Sequence, residues 1–198
     1  MRNQRIIILD GPDGCGKTNI GQELSRYLGI PYFKVNSEIA HWRQGKFKEA
    51  LEFDQTYISE FLLQTGYDVI VDRAYPSEYV YSKVFKRETN IEVLKKVDEA
   101  FAKMGAVIVI PVKHDYSKNR QDELVENSKL DEIHHEYERF ARLFTQCSSL
   151  TLYVDDLKEN LHEEMKVITQ ELFNINLAKG WLQVISDADG TFRYADRI

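Results

Sequence analysis

Four apolar residues, Ile6-Ile7-Ile8-Leu9, lead within two positions into Gly11-Pro12-Asp13-Gly14-Cys15-Gly16-Lys17-Thr18. The stretch from Asn19 to Leu28 then sets Ile20, Leu24 and Leu28 at helical spacing ahead of Gly29. A strand, a glycine-rich loop and a helix in that order leave few folds open. Glycines let the backbone curl and turn consecutive N–H groups inward, so the loop and the helix N-terminus form a concave, partly positive anion site. In such a site Lys17 reaches the β- and γ-phosphates of ATP, and the Thr18 hydroxyl is offered to Mg²⁺. Gly11, Asp13, Gly14, Cys15, Gly16, Lys17 and Thr18 are the expected ATP-binding residues.

Five apolar runs, at residues 5–10, 31–35, 67–73, 106–112 and 149–154, alternate with helical stretches. This alternation predicts a parallel sheet wrapped by helices. Val69-Ile70-Val71 and Ala106-Val107-Ile108-Val109-Ile110 lack polar alternation, as strands buried on both faces do, so both are expected in the interior of the sheet. Residues 47–65 and 76–104 carry mixed helical periodicity, with Gly66 and Gly105 where helix C-terminal glycines belong. Within the highly charged stretch 117–146, Leu130, Ile133, Tyr137, Phe140 and Phe144 recur at three- and four-residue spacing, which predicts one amphipathic helix. Lys113 to Glu126, polar and without an apolar stripe, reads as a mobile loop or frayed helix over the site. From Trp181 on, two short alternating runs flank Ser186-Asp187-Ala188-Asp189-Gly190, the pattern of a hairpin added to a sheet edge or packed on a partner. The fold class is therefore α/β: a three-layer α/β/α P-loop NTPase arrangement with a five-stranded parallel sheet. It forms a single domain over 1–198, with a helical lid at about 113–128 and a C-terminal β-hairpin at about 181–196.

A net charge of -6 argues against a surface built to neutralise a polymeric nucleic acid, whereas a small phosphorylated ligand needs only a local positive pocket. No charged-then-apolar leader and no run approaching a membrane span is present, which points to a cytoplasmic chain with no membrane partner. Cys15 and Cys147 do not make a disulfide framework. Cys15 reads as a small loop residue. The helix N-terminus and Lys17 beside it are the kind of surroundings that lower a thiol pKa and open it to oxidation.

Asp72 and Arg73 close the third apolar run, and in an open α/β sheet ligands gather at the carboxyl ends of strands. A carboxylate there holds Mg²⁺ or takes a proton, and a guanidinium clamps phosphoryl oxygens; elsewhere such a pair is an ordinary salt bridge. Tyr75, Tyr79, Tyr81 and Phe85 follow, a stripe that suits either the core or stacking on a base. Adjacent His134 and His135 diverge by about 100° on a helix and do not share a metal.

The loop Gly11–Thr18, the strand end Val71-Asp72-Arg73 and the following Pro76-Ser77-Glu78-Tyr79-Val80-Tyr81 resemble the thymidylate kinases and their viral relatives, over most of residues 4–156. The resemblance implies transfer of the γ-phosphoryl of Mg-ATP to a deoxynucleoside 5′-monophosphate such as dTMP or a 5-substituted analogue, by a homodimer. It implies that Asp13 holds the sugar 3′-hydroxyl of the acceptor and that Asp72 and Arg73 contact the acceptor phosphate and its metal. Family members with glycine at the position of Gly14 draw a catalytic cation from the lid, where this chain has Lys118 and Arg120; Arg120 is the expected one. Lys17, Asp72, Arg73 and Arg120 thus form the expected catalytic set, with Thr18 and Asp72 on the metal.

Two segments depart from that family. After the second apolar run the chain reads Asn36-Ser37-Glu38-Ile39-Ala40-His41-Trp42-Arg43, whose Glu38 and Trp42 look more like the deoxynucleoside kinases, where the carboxylate deprotonates a 5′-hydroxyl. Phe53-Asp54-Gln55-Thr56-Tyr57 looks like their base-reading segment, with the Gln55 amide on the base edge. Asp13, Glu38, Trp42, Gln55, Arg73 and Tyr81 are the expected substrate-binding residues, and the nucleoside itself is the alternative acceptor. A nucleotide switch is less well matched, because no Asn-Lys-x-Asp guanine-reading tetrapeptide is present.

Overall fold

The computed structural model describes residues 4–117, 127–157, 161–177, 184–186 and 192–194. Its five parallel strands are β1 Ile6–Leu9, β2 Tyr32–Lys34, β3 Val69–Asp72, β4 Val107–Val112 and β5 Ser148–Tyr153, in the spatial order β2-β3-β1-β4-β5. Each apolar run of the sequence has become a strand, and β3 and β4 lie inside the sheet as their unbroken apolar character requires. The register Leu9↔Asp72 brings the ends of β1 and β3 to one edge, and the register Leu9↔Val109 lets β4 run three residues further, to Val112.

Side chains alternate across the sheet and so feed two cores. Ile6 and Ile8 point to one that also holds Val71, Ile108, Tyr75, Phe101, Tyr137 and Phe140. Ile7 and Leu9 point to the other, with Ile20, Leu24, Ile70, Val109, Met165 and Ile168. The first layer is built from α5 Thr56–Thr65, α6 Tyr75–Val84, α7 Ile91–Lys103 and α8 Asn127–Leu143; the second from α1 Lys17–Leu28 and α9 Leu161–Leu177. On α8 the expected stripe is in place, with Leu130, Ile133, Tyr137 and Phe140 buried. The short helices α2 Val35–Glu38, α3 Ala40–Arg43 and α4 Phe47–Glu49 connect β2 to this layer.

The helical stretches are more broken than periodicity implies. Residues 47–65 contain a π-helical segment, Ala50–Gln55, between α4 and α5. The stretch 76–104 divides into α6 and α7, because Lys86 takes a left-handed φ of 52° and Asn90 starts a new helix by accepting the N–H of Val93 at 3.2 Å. Helix α9 has no counterpart among the expected elements. The C-terminal runs do pair, as antiparallel β6 Val184–Ser186 and β7 Phe192–Tyr194, in a two-stranded sheet of their own and not on the edge of the main sheet. Most of the expected lid, with Lys118 and Arg120, lies outside the described residues. Among the described residues no helix is long and apolar enough to cross a membrane.

Gly21 on α1 faces Tyr32 and Leu9 so closely that an added Cβ would stand 2.6 Å from the Tyr32 ring and 2.7 Å from Leu9 Cδ1. Neither neighbour yields easily, since Leu9 is fully buried and the Tyr32 hydroxyl is bonded to Asp72. Gly21→Ala is expected to lower stability by about 1–3 kcal/mol through overpacking, against a helix-propensity gain of about 1 kcal/mol, as read by thermal or urea unfolding.

Candidate active site

The loop between β1 and α1 turns on Gly14 and Gly16, whose φ values of 77° and 69° are left-handed, so a side chain at Gly16 would be strained even though open space surrounds it. Lys17 opens α1 and folds back, its Nζ donating to the carbonyls of Gly11 at 2.8 Å and Pro12 at 2.6 Å. Burial pushes the Lys17 pKa down to about 8, with the Arg73 charge adding to the effect and Asp13 and Asp10 opposing it.

A cavity of about 230 Å³ opens over this loop, lined by Asp13, Gly14, Gly16, Lys17, Thr18, Asn19, Lys34, Asp72 and Arg73. Thr18 Oγ1 donates to Asp72 Oδ2 at 2.9 Å, and Lys34 Nζ donates to the same hydroxyl at 3.1 Å. The Tyr32 hydroxyl donates to Asp72 Oδ2 at 2.5 Å and orients that carboxylate. A hydroxyl and a carboxylate side by side are hard oxygen donors, a set that fits Mg²⁺.

At the end of β3 the chain continues the ladder, Arg73 N donating to Leu9 O at 2.9 Å, and then turns at Arg73 with φ of 65°. Such a conformation costs a residue with a side chain about 1–2 kcal/mol. It is held because the guanidinium is bonded on two sides: to Asp13 Oδ1 in an ion pair, and to Ser77 Oγ at 3.0 Å. The Tyr81 hydroxyl donates to Asp13 Oδ2 at 2.7 Å, and the Arg73 guanidinium lies 5.5 Å from the Tyr81 ring centre. Burial works against the Asp13 carboxylate, but Arg73, Lys17 and the Tyr81 hydroxyl together hold its pKa below the usual range. Burial likewise works against Arg73, and the groups around it keep it charged.

Thus Asp13, Lys17, Thr18, Asp72, Arg73 and Tyr81 share one small region, while other expected residues do not. Glu38, at the end of α2, is exposed and does not line the cavity. Trp42 is half-buried, with its ring centre 5.9 Å from that of Phe47. Gln55 is fully buried, and its Oε1 accepts the N–H of Tyr75 at 3.1 Å, so one half of its amide is already engaged; Nε2 has no partner among the described residues. The tyrosine stripe divides, with Tyr75 and Tyr79 in the core and Tyr81 at the site. Cys15 does not take up the alternative of an acidic thiol. Burial outweighs the pull of Lys17 and pushes its pKa up, and the sulfur is fully enclosed, 3.9 Å from the Tyr116 hydroxyl.

Three participants escape the sequence reading. Lys34 is the last residue of a short edge strand, Ser77 lies on a helix that reads as core, and Asp10 looks like a strand terminator. An acidic residue wedged between Leu9 and Gly11, where the chain is otherwise apolar or small, is the one available signal, and the structure buries it completely.

No family model matches the chain. Over 135 residues it is 29% identical to the SPbeta prophage-derived uncharacterized protein YorR of Bacillus subtilis (strain 168), which covers 65% of this chain and 76% of that protein. A crystal structure of YorR in complex with phosphorylated GDP resembles this chain with a TM-score of 0.60 and 23% identity, covering 88% of this chain and 98% of that one. Deoxyadenosine kinase from M. mycoides, with the products dCMP and a flexible dCDP bound, gives a TM-score of 0.52 at 16% identity, covering 86% and 99%. Thymidylate kinase from Candida albicans gives 0.50 at 13% identity, covering 97% and 98%. The five-stranded parallel sheet with its flanking helices is the α/β fold of the P-loop kinases.

The pKa of Lys17 yields a prediction with a definite sign. Above about pH 8 the ligand-free protein carries a growing fraction of neutral amine, and a polyphosphate on the loop would favour the ammonium, so binding of ATP at pH 8–9 is expected to take up a proton and to weaken as pH rises further. Calorimetry in buffers of different ionisation enthalpy is expected to show this uptake at pH 8.5 and little of it at pH 6.5. Lys17→Met is expected to abolish it.

Proposed function

We propose that the chain is a nucleotide kinase that moves the γ-phosphoryl group of ATP to the 5′-phosphate of a deoxynucleoside monophosphate, dTMP or a 5-substituted pyrimidine analogue. The observation that carries the reading is Arg73, a half-buried guanidinium held beside the loop by Asp13 and Ser77, with Lys34 on the same cavity. A site that gathers cations around a phosphate loop suits a phosphorylated acceptor better than a neutral one. Among the similar structures, the C. albicans thymidylate kinase supports this class of acceptor, whereas the M. mycoides deoxyadenosine kinase, with dCMP bound as a product, supports a nucleoside acceptor.

In this reading the loop amides and Lys17 hold the β- and γ-phosphates of ATP. Arg73 neutralises acceptor and transferring oxygens, and Asp13, steadied by Tyr81, accepts the sugar 3′-hydroxyl. Thr18 and Asp72 would hold Mg²⁺, which supplies charge neutralisation of the phosphates when bound. Arg120 is assigned the lid cation that meets the equatorial oxygens. Catalysis then rests on positioning and on preorganised positive charge, since a phosphoryl group in flight demands little covalent help. A homodimer in the cytoplasm belongs to the same proposal.

A nucleoside acceptor is the second reading, favoured by Gln55, whose buried Nε2 has no partner among the described residues. There Glu38 would deprotonate the 5′-hydroxyl and the Gln55 amide would meet the base edge. Gly14 and Trp42 keep their assignments in both readings, at the loop and beside the acceptor.

ADP release measured across a panel of deoxynucleosides and their 5′-monophosphates separates the two. A monophosphate kinase is expected to lose about 10²-fold or more in turnover with Lys17→Ala. Arg73→Ala should raise the acceptor KM as well as lowering kcat, and Glu38→Gln should change either by less than about threefold. A severe loss with Glu38→Gln, together with turnover of nucleosides, would hand the assignment to the second reading.

A further inference from the structure

Asp10 is fully buried and accepts five hydrogen bonds. Its Oδ2 takes the N–H groups of Ala74 and Ser77, each at 3.0 Å. Its Oδ1 takes the N–H of Gly11 at 3.0 Å, the Ser77 hydroxyl at 2.5 Å and the Tyr137 hydroxyl at 2.7 Å. A serine hydroxyl has one proton. With that proton committed to Asp10, the Ser77 oxygen presents a lone pair to Arg73, whose Nη1 donates to it at 3.0 Å. Carboxylate, hydroxyl and guanidinium thus form a chain of fixed polarity. None of Asp10, Ser77 and Tyr137 lines the cavity.

From this geometry we infer that Asp10, Ser77 and Tyr137 are positioning residues that set where the Arg73 guanidinium stands, and that Tyr137 makes α8 part of the acceptor site without touching it. Among the described residues, the Arg73 guanidinium donates to Ser77 on one side and to Asp13 on the other, with the Tyr81 ring 5.5 Å from it on the Asp13 side. Its Asp13 tether is shared with Tyr81 and faces the cavity, where an anionic acceptor competes for the guanidinium. The Ser77 tether lies behind and persists when the front one is drawn away. Its direction depends on Asp10, and the Tyr137 hydroxyl, from another helix, donates to the same Asp10 Oδ1. The Tyr137 oxygen also lies 3.3 Å from Ser77 Oγ, so the two hydroxyls are fixed together.

The kinetic part of this inference rests on the monophosphate kinase reading; the structural part does not. Steady-state assays with ATP and dTMP on Ser77→Ala, Tyr137→Phe and the double variant test the first part. Ser77→Ala is expected to raise the KM for dTMP about tenfold and Tyr137→Phe about threefold, with the KM for ATP moving less than about twofold in either. The double variant is expected to match Ser77→Ala, because both act through one chain. NMR of the Arg73 guanidinium in the ligand-free protein tests the second part: rotation about Nε–Cζ is expected to quicken in Tyr137→Phe and more so in Ser77→Ala. Unchanged rotation in both variants overturns the relay, as does a fall in Tm with both KM values unaltered. If the unaltered protein phosphorylates neither nucleosides nor their monophosphates, the kinase reading fails, and the guanidinium rotation alone decides the relay.

Discussion

The ion pair between Asp13 and Arg73 joins the loop after β1 to the end of β3, and the rest of the site is arranged around it. A half-enclosed pair of this kind is not a cheap source of stability, since desolvation offsets much of its Coulombic gain. Its geometric effect is larger. It keeps Arg73 in a left-handed backbone conformation, φ 65°, that a residue with a Cβ would otherwise leave, and so aims the side chain across the strand ends instead of into solvent. The strain, the partial burial of both charges and the cavity beside them occur in one place, which is the pattern of a site organised for an anion.

The sheet order explains why this is feasible. With β1 between β3 and β4, the loop following β1 lies against the end of β3, so Thr18 meets Asp72 and Asp13 meets Arg73 across more than fifty residues of chain. A second tier of contacts lies beneath. Asp10 gathers donors from the loop, from α6 and from α8, and Gln55 anchors the first turn of α6 through the Tyr75 N–H. The elements carrying the charged groups are therefore tied to one another through buried polar atoms, which a low-dielectric interior makes stiff when satisfied.

Much of the scaffold was legible because it follows from short-range periodicity. Ile6–Leu9 and Val107–Val112 are apolar at every position save Pro111, and burial on both faces of a sheet is the arrangement that uses such runs. The stripe on α8 and the glycines closing α1 and α5 were visible for similar reasons. Helix α9 was not read, because its polar residues dilute the pattern that Met165, Ile168 and Leu172 make once packed. The break between α6 and α7 turned on single residues, Lys86 and Asn90, that carry little weight in a window average. At the site, the loop residues and the Asp72-Arg73 pair stood out by type and position. Lys34, Ser77 and Asp10 did not, since nothing local distinguishes an edge-strand lysine or a helix-start serine from its solvated counterparts.

The sequence alone determined the phosphate loop, the α/β alternation and the presence of an acidic and a basic residue at a strand end, because each is written in neighbouring residues. Only the tertiary structure decided which of the candidates meet. It enclosed Cys15 and raised its pKa where local charge suggested the opposite, sent Tyr75 and Tyr79 into the core while leaving Tyr81 at Asp13, and left Glu38 exposed, off the cavity lining. The physical reason is that desolvation, hydrogen-bond direction and strand order depend on residues distant in the chain, and these set the charge and orientation of every group at the site.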